Sequence, residues 1–215
     1  MGESLWLDEL FNTSWFMRDW FEAILHSLRR EYLPAYYLLT YGWIGLFGES
    51  EISLRMPSLL EGLISIYLAY RIAEMKLGIK PALILALLLA ISPTHIWYSS
   101  ESRPYQLCSM LLLLSLFSFW KLSDRSKASI WDWVFFFSTF LATFTMLYMP
   151  LFTVIFLLSS LLSRAPGRNR SLITCMIILF SLVAFILIKA QISPFPHQYD
   201  YLRWFNFIEL WMLFF

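Results

Sequence analysis

The sequence predicts an all-α protein, a multipass transmembrane helical bundle with interfacial helices in an external first loop. Three observations carry this. Hydrophobic residues make up 59% of the 215, aromatic residues 19% and charged residues only 14%, with a mean hydropathy of +0.63, which is far too apolar for an ordinary soluble domain. The apolar residues gather into runs close to the roughly 20 residues that cross a hydrocarbon core. The loops between those runs alternate in basic charge, as cytoplasmic and external loops do.

The first 56 residues are expected to form the external loop. They carry Glu3, Asp8, Glu9, Asp19, Glu22, Glu31, Glu49 and Glu51. Trp15, Phe16, Asp19, Trp20, Ala23, Ile24 and Leu28 recur at helical spacing, with aromatics on one face and charge on the other, the pattern of a helix lying in the membrane interface. Residues 34–47 are too few to span and rich in Tyr and Trp, so they too are expected along the surface. No basic leader and cleavage site precede them, so no signal peptide is expected.

Residues 57–192 are read as the transmembrane region. Candidate spans are 57–75, 81–98, 105–121, 133–163 and 171–191. The run 133–163 is too long for one pass and holds Pro150, which removes a backbone donor and breaks a helix, so it is read as two short helices meeting near Tyr148. That makes six passes. Arg71, Lys76 and Lys80, then Lys121, Arg125 and Lys127, then Arg164, Arg168 and Arg170 fall in one set of loops, which belongs inside. The other set holds only Arg103 and Arg203, and belongs outside. Residues 193–215 form an external tail and the start of a further apolar run.

Charge and cysteine usage narrow the function. The formal net charge is +1, and no basic run interleaved with aromatics is present, so nucleic acid is not expected as a partner. Cys108 and Cys175 lie inside apolar runs and read as small buried residues. Membrane lipids are the obvious surroundings.

Four segments stand in order along the chain: Ser4-Leu-Trp-Leu-Asp-Glu9, Glu31-Tyr-Leu-Pro-Ala-Tyr-Tyr-Leu-Leu39, Leu46-Phe-Gly-Glu-Ser-Glu-Ile-Ser-Leu-Arg-Met-Pro-Ser58, and Ser92-Pro-Thr-His-Ile-Trp-Tyr-Ser-Ser-Glu-Ser-Arg-Pro-Tyr105. In this order the chain resembles the GT-C membrane glycosyltransferases, in the branch of the protein O-mannosyltransferases and the bacterial lipid A aminoarabinose transferase. The resemblance implies transfer of a sugar from a dolichyl- or undecaprenyl-phosphate carrier to a lipid, glycan or protein acceptor, on the extracytoplasmic face of the cytoplasmic (plasma) membrane. It maps the general base onto Asp8 with Glu9 as its motif partner, a second acidic motif onto Glu31, and a Glu-x-Arg-x-Tyr signature onto Glu101, Arg103 and Tyr105. It also places Tyr36 and Tyr37 near the substrate cavity. Where the family supplies Lys or His, Tyr32 and Leu33 stand here. The family's first membrane helix would precede Ser4 and its later helices would follow Phe215, so the chain is expected to be a piece of a longer protein.

The chemistry suits these residue types. Glycosyl transfer removes a proton from the acceptor, which a carboxylate accepts; the other reading of Asp8-Glu9 is a helix N-cap. The leaving phosphate gains charge, and the planar donors of Arg103, with Arg55 as a weaker candidate, fit its oxygens. The alternative for Arg103 is snorkelling to headgroups or pairing with Glu101. Glu61, inside an apolar span, is a functional candidate that the family pattern does not mark. His26, His95 and His197, with Asp8, Glu9 and Glu31, offer donors for a divalent metal, but no HxxxH or HExxH pairing exists and no cofactor is certain. Two other functions stay open: a catalytically inactive fragment or lipid-carrier-binding protein without turnover, and a small-solute transporter. The transporter would need polar residues beside broken helices at mid-membrane, and Pro93 and Pro150 lack charges at depth beside them.

Overall fold

Caps and prolines decide where each apolar run becomes a helix and where it stops. A computed structural model describes residues 34–146 and 148–192; Asp8, Glu9, Glu31, His26, His197 and the amphipathic 15–28 stretch lie outside the described residues. The first helix, α1, is Pro34–Phe47. It ends at Gly48, whose φ of 80° is a conformation glycine adopts without a Cβ clash, and whose N–H closes the last turn on the Ile44 carbonyl at 2.8 Å. Helix α2, Glu51–Leu77, starts at Ser50, whose hydroxyl accepts from the Ser53 N–H at 3.2 Å. It stops at Gly78, with φ 88°.

The start of α2 corrects the expected 57–75 boundary. Pro57 lies inside the helix and has no N–H for the Ser53 carbonyl one turn back. That carbonyl instead accepts the Trp43 indole N–H at 2.8 Å, so a side chain from α1 repairs the break and lets the helix run through. Replacing Trp43 with Phe should therefore cost roughly 1–3 kcal/mol, since it leaves a partly buried acceptor unpaired. Denaturation of the detergent-solubilised variant measures it.

The expected pass 81–98 is also corrected. It divides into α3, Ile79–Ala90, and α4, Pro93–Ser100, bent by 58°. Ser92 caps α4 by accepting from the His95 N–H at 3.5 Å, and Pro93 occupies the first helical position, where its missing N–H costs nothing. Helix α5, Pro104–Ser123, starts on a proline in the same way. Helix α6, Ile130–Thr143, opens with Ser129 and Asp132 in a capping box, the Asp132 carboxylate accepting the Ser129 N–H at 2.6 Å. The run 133–163 breaks before Pro150, which begins α7, Pro150–Leu162; α8 is Arg168–Ile192. Among the described residues three helices, α2, α5 and α8, are long and apolar enough to cross a membrane, or four spans if the bent pair α3–α4 is one. At 14 and 13 residues, α6 and α7 are shorter.

With lipid outside, helices associate through close approach and polar contacts rather than through the hydrophobic effect. The inward face of α2 carries Ser58, Gly62, Ser65, Ala69 and Ala73, all buried, and packs on α4 and α5. Hydrogen bonds then join helix to helix: Gln106 Nε2 to Ser65 Oγ at 3.4 Å, Ser115 Oγ to Ser138 Oγ at 3.0 Å, and the hydroxyl pairs Thr143–Thr153 and Ser160–Ser171, each at 2.8 Å. Phe119, Phe135 and Phe156 pack ring on ring, with centroids 5.2 to 5.6 Å apart, around Leu122 and Cys175. Both cysteines are buried free thiols, as expected.

The two ends of the bundle differ in charge. At one end Arg170 pairs with Asp132 at 2.8 Å and donates to the carbonyls of Ser126 and Arg125 at 3.1 and 2.6 Å. Lys76 stands 4.7 Å over the Trp120 ring. The Gly167 N–H donates to the Ser123 carbonyl at 3.2 Å, and a Cβ there would overlap the Leu122 carbonyl. Backbone cannot move aside as a side chain does, so Gly167→Ala should pry the start of α8 from the end of α5. A loss of about 1–3 kcal/mol is expected from such overpacking, read as a lower unfolding temperature.

Candidate functional site

The end opposite the basic loops gathers the sequence-predicted residues that the structure describes. The link between α4 and α5 is extended at Glu101 and Arg103, because a residue before proline is pushed out of the helical region. This short extended piece places Glu101 and Ser102 in buried positions. The Glu101 carboxylate stands 3.5 Å from Arg103 Nε, with the Arg103 side chain about a quarter exposed. A guanidinium held beside a carboxylate and about a quarter exposed carries planar donors of the kind that suits an anion.

Aromatic side chains close around this pair. Tyr105, on the first turn of α5, packs its ring 4.8 Å from that of Tyr98 at the end of α4. The Tyr36 hydroxyl meets Ser102 Oγ at 3.2 Å, and the Tyr37 ring stands edge-on to Tyr36 at 5.6 Å. Tyr36 is anchored from below by Leu107, Cys108, Leu111 and Met149, and the first turn of α1 by a bond from the Ala35 N–H to the Phe144 carbonyl at 3.0 Å. Glu101, Arg103, Tyr105, Tyr36 and Tyr37 thus share one region. Arg55 sits on the first turns of α2 and pairs with Glu51 one turn back at 2.7 Å.

Several members of this region were not picked out from the sequence. Ser102 lies within the Glu-x-Arg signature but shows its role only through Tyr36. Tyr148, in the break between α6 and α7, belongs to the site as well. Its side chain is about half exposed, and partial burial, with Cys108, Tyr105 and Tyr98 close by, pushes its phenol up to about 12. Beneath these lies a polar layer made of Glu61, Ser65, His95, Ser99 and Gln106. Of this layer the sequence singled out Glu61 and His95 but not Ser65, Ser99 or Gln106, for which a glutamine in an apolar run was the available signal.

Among the described residues no group of three His, Cys, Asp or Glu side chains stands together to hold a metal ion. The His95 ring is 3.3 Å from the Gly62 carbonyl.

No curated protein and no solved structure matches the chain. Residues 33–192 match the family model of the dolichyl-phosphate-mannose-protein mannosyltransferases. That stretch begins just before α1, includes the Glu101–Arg103–Tyr105 link and ends with α8, and on it the chain belongs to the dolichyl-phosphate-mannose-protein mannosyltransferase family, of GT-C type.

Proposed function

We propose that this chain carries the donor site of a glycosyltransferase that moves a sugar from a polyprenyl-phosphate carrier to a hydroxyl or amine acceptor outside the cytoplasmic membrane. The observation that carries the reading is Arg103, held by Glu101 at 3.5 Å beside Tyr105 and Tyr36, within the stretch that matches the family. The carrier phosphate binds at the Arg103 guanidinium, and the two tyrosines with Tyr37 border the sugar. The acceptor oxygen or nitrogen attacks the anomeric carbon as the bond from that carbon to the phosphate oxygen breaks, inverting the centre. The acceptor proton passes to the Asp8 carboxylate, and Arg103 stabilises the charge that grows on the departing phosphate. Glu9 and Glu31 support the base and the acceptor side.

The sidedness rests on charge. Lys76, Arg125, Arg168 and Arg170 collect at the end of the bundle away from Arg103, which supports an inward basic face and an outward site. With α6, α7 and the bent pair α3–α4 each taken as a pass, the described residues cross six times. α1 then lies along the outer surface, within the external first loop.

Photo-crosslinking tests the placement of the donor. An undecaprenyl phosphate analogue with a photoreactive group near its phosphate should label peptides containing residues 101–105 or 36–37. Labelling confined to the basic end, around 122–127 or 164–170, would overturn the reading. The presence of Tyr32 and Leu33 in place of a basic residue favours one rival, a lipid-carrier-binding protein without turnover. That rival predicts the same labelling with no transfer.

A further inference from the structure

Below the Arg103 region lies a polar layer in an otherwise apolar bundle. It is built from α2, α4 and α5. Gln106 Nε2 donates to Ser65 Oγ at 3.4 Å, and both residues are almost fully buried. His95 reaches the Gly62 carbonyl at 3.3 Å, and Ser99 presses so close to Gly62 that a Cβ there would overlap its hydroxyl and lie 3.6 Å from Gln106 Nε2. One turn before Ser65, on the same face, stands Glu61. Its backbone carbonyl accepts the Ser65 hydroxyl at 2.7 Å. Its carboxylate has one oxygen, Oε2, that is buried and without a hydrogen-bond partner among the described residues, and it lies within electrostatic reach of Cys108, which packs directly under Tyr36.

An acidic side chain within a membrane helix costs several kcal/mol unless something satisfies it. The helix and its neighbours satisfy the surrounding hydroxyls and amide but leave this oxygen unpaired. A hydroxylated ring seated between Tyr36 and Arg103 would offer what is missing, an O–H donor to the unpaired oxygen. We propose that Glu61 is a specificity-determining residue that accepts a hydrogen bond from a hydroxyl of the carrier-bound sugar, with Gln106 and Ser65 holding its layer in register. This rests on the donor site proposed above. A phosphate binds Arg103 whatever sugar it carries, so Glu61 is the group that distinguishes one glycosyl donor from another.

Equilibrium binding to the full chain in lipid nanodiscs separates the two readings. The ligands are undecaprenyl phosphate, its hexosyl ester, and a set of esters each lacking one sugar hydroxyl. The parent chain should bind the hexosyl ester on the order of 3- to 100-fold more tightly than one particular deoxy ester, the span expected for one buried hydrogen bond whose loss leaves its acceptor unpaired. In Glu61→Gln that ratio should shrink, and in Glu61→Leu it should vanish, while undecaprenyl phosphate binds all three alike. Glu61→Leu should also unfold at no lower temperature than the parent, since an apolar residue replaces a buried carboxylate, which separates lost recognition from lost fold. An unchanged ratio in Glu61→Leu, or a parent that treats every deoxy ester like the complete sugar, would overturn the role of Glu61 and leave the donor site standing. A parent that binds no undecaprenyl phosphate would remove the donor site and this inference with it.

Discussion

Asp8→Asn is expected to lower sugar transfer by about 10²- to 10⁴-fold, the range that a positioned general base contributes, while leaving the fold and donor affinity intact. The substitution is chosen because it divides the two roles open to this residue. Asparagine caps a helix N-terminus about as well as aspartate does, so a residue that only caps would tolerate the change. An amide cannot take up the proton that leaves the acceptor as the glycosidic bond forms. Loss of kcat with unchanged binding of undecaprenyl phosphate would mark Asp8 as the base. Asp8→Ala removes both roles, and its extra loss of thermal stability over Asp8→Asn would measure the cap, expected near 1 kcal/mol.

Arg103→Ala is the second large effect. A preorganised cation facing a leaving phosphate is comparable to an oxyanion-hole donor, whose removal costs about 10²–10³ in kcat. The ion pair with Glu101, at 3.5 Å, has its carboxylate largely buried and its guanidinium about a quarter exposed, so Arg103→Ala strands a buried charge and should lower the unfolding temperature as well as transfer. Arg103→Lys keeps that charge paired and separates the two effects. It should hold the unfolding temperature yet recover only part of the rate, because an ammonium restores the charge but not the planar pair of donors. Full activity in Arg103→Lys would identify Arg103 as a structural partner of Glu101 instead.

Much of this architecture was legible in residue patterns. The five apolar runs, the division before Pro150 and the burial of both cysteines follow from hydrophobic length and proline chemistry, which act locally. The misplaced start of α2 is of another kind. Pro57 forbids a local bond, and only the indole of Trp43, from a separate helix, restores it; no periodicity within 51–77 reveals such a partner. The 58° bend at Ser92-Pro93 likewise depends on a cap that turns a continuous apolar run into two helices. In the site, Glu101, Arg103 and Tyr105 are close in sequence and so were visible as a signature. Tyr148 reaches the same region from a distant segment, Gln106, next to Tyr105 in sequence, shows its role only through Ser65, 41 residues away, and Ser102 acquires meaning only from Tyr36, 66 residues away. Glu61 was conspicuous as a charge in an apolar span, but its unpaired oxygen is a fact of packing.

The most direct measurement is transfer of radiolabelled sugar from a polyprenyl-phosphate donor by membranes carrying the chain, with Asp8→Asn and Arg103→Ala beside it and insertion verified for all three. The account predicts label in the acceptor fraction with the parent chain and near-background label with either variant. Equal transfer by parent and variants, or none by a correctly inserted parent that still crosslinks to undecaprenyl phosphate, would contradict it.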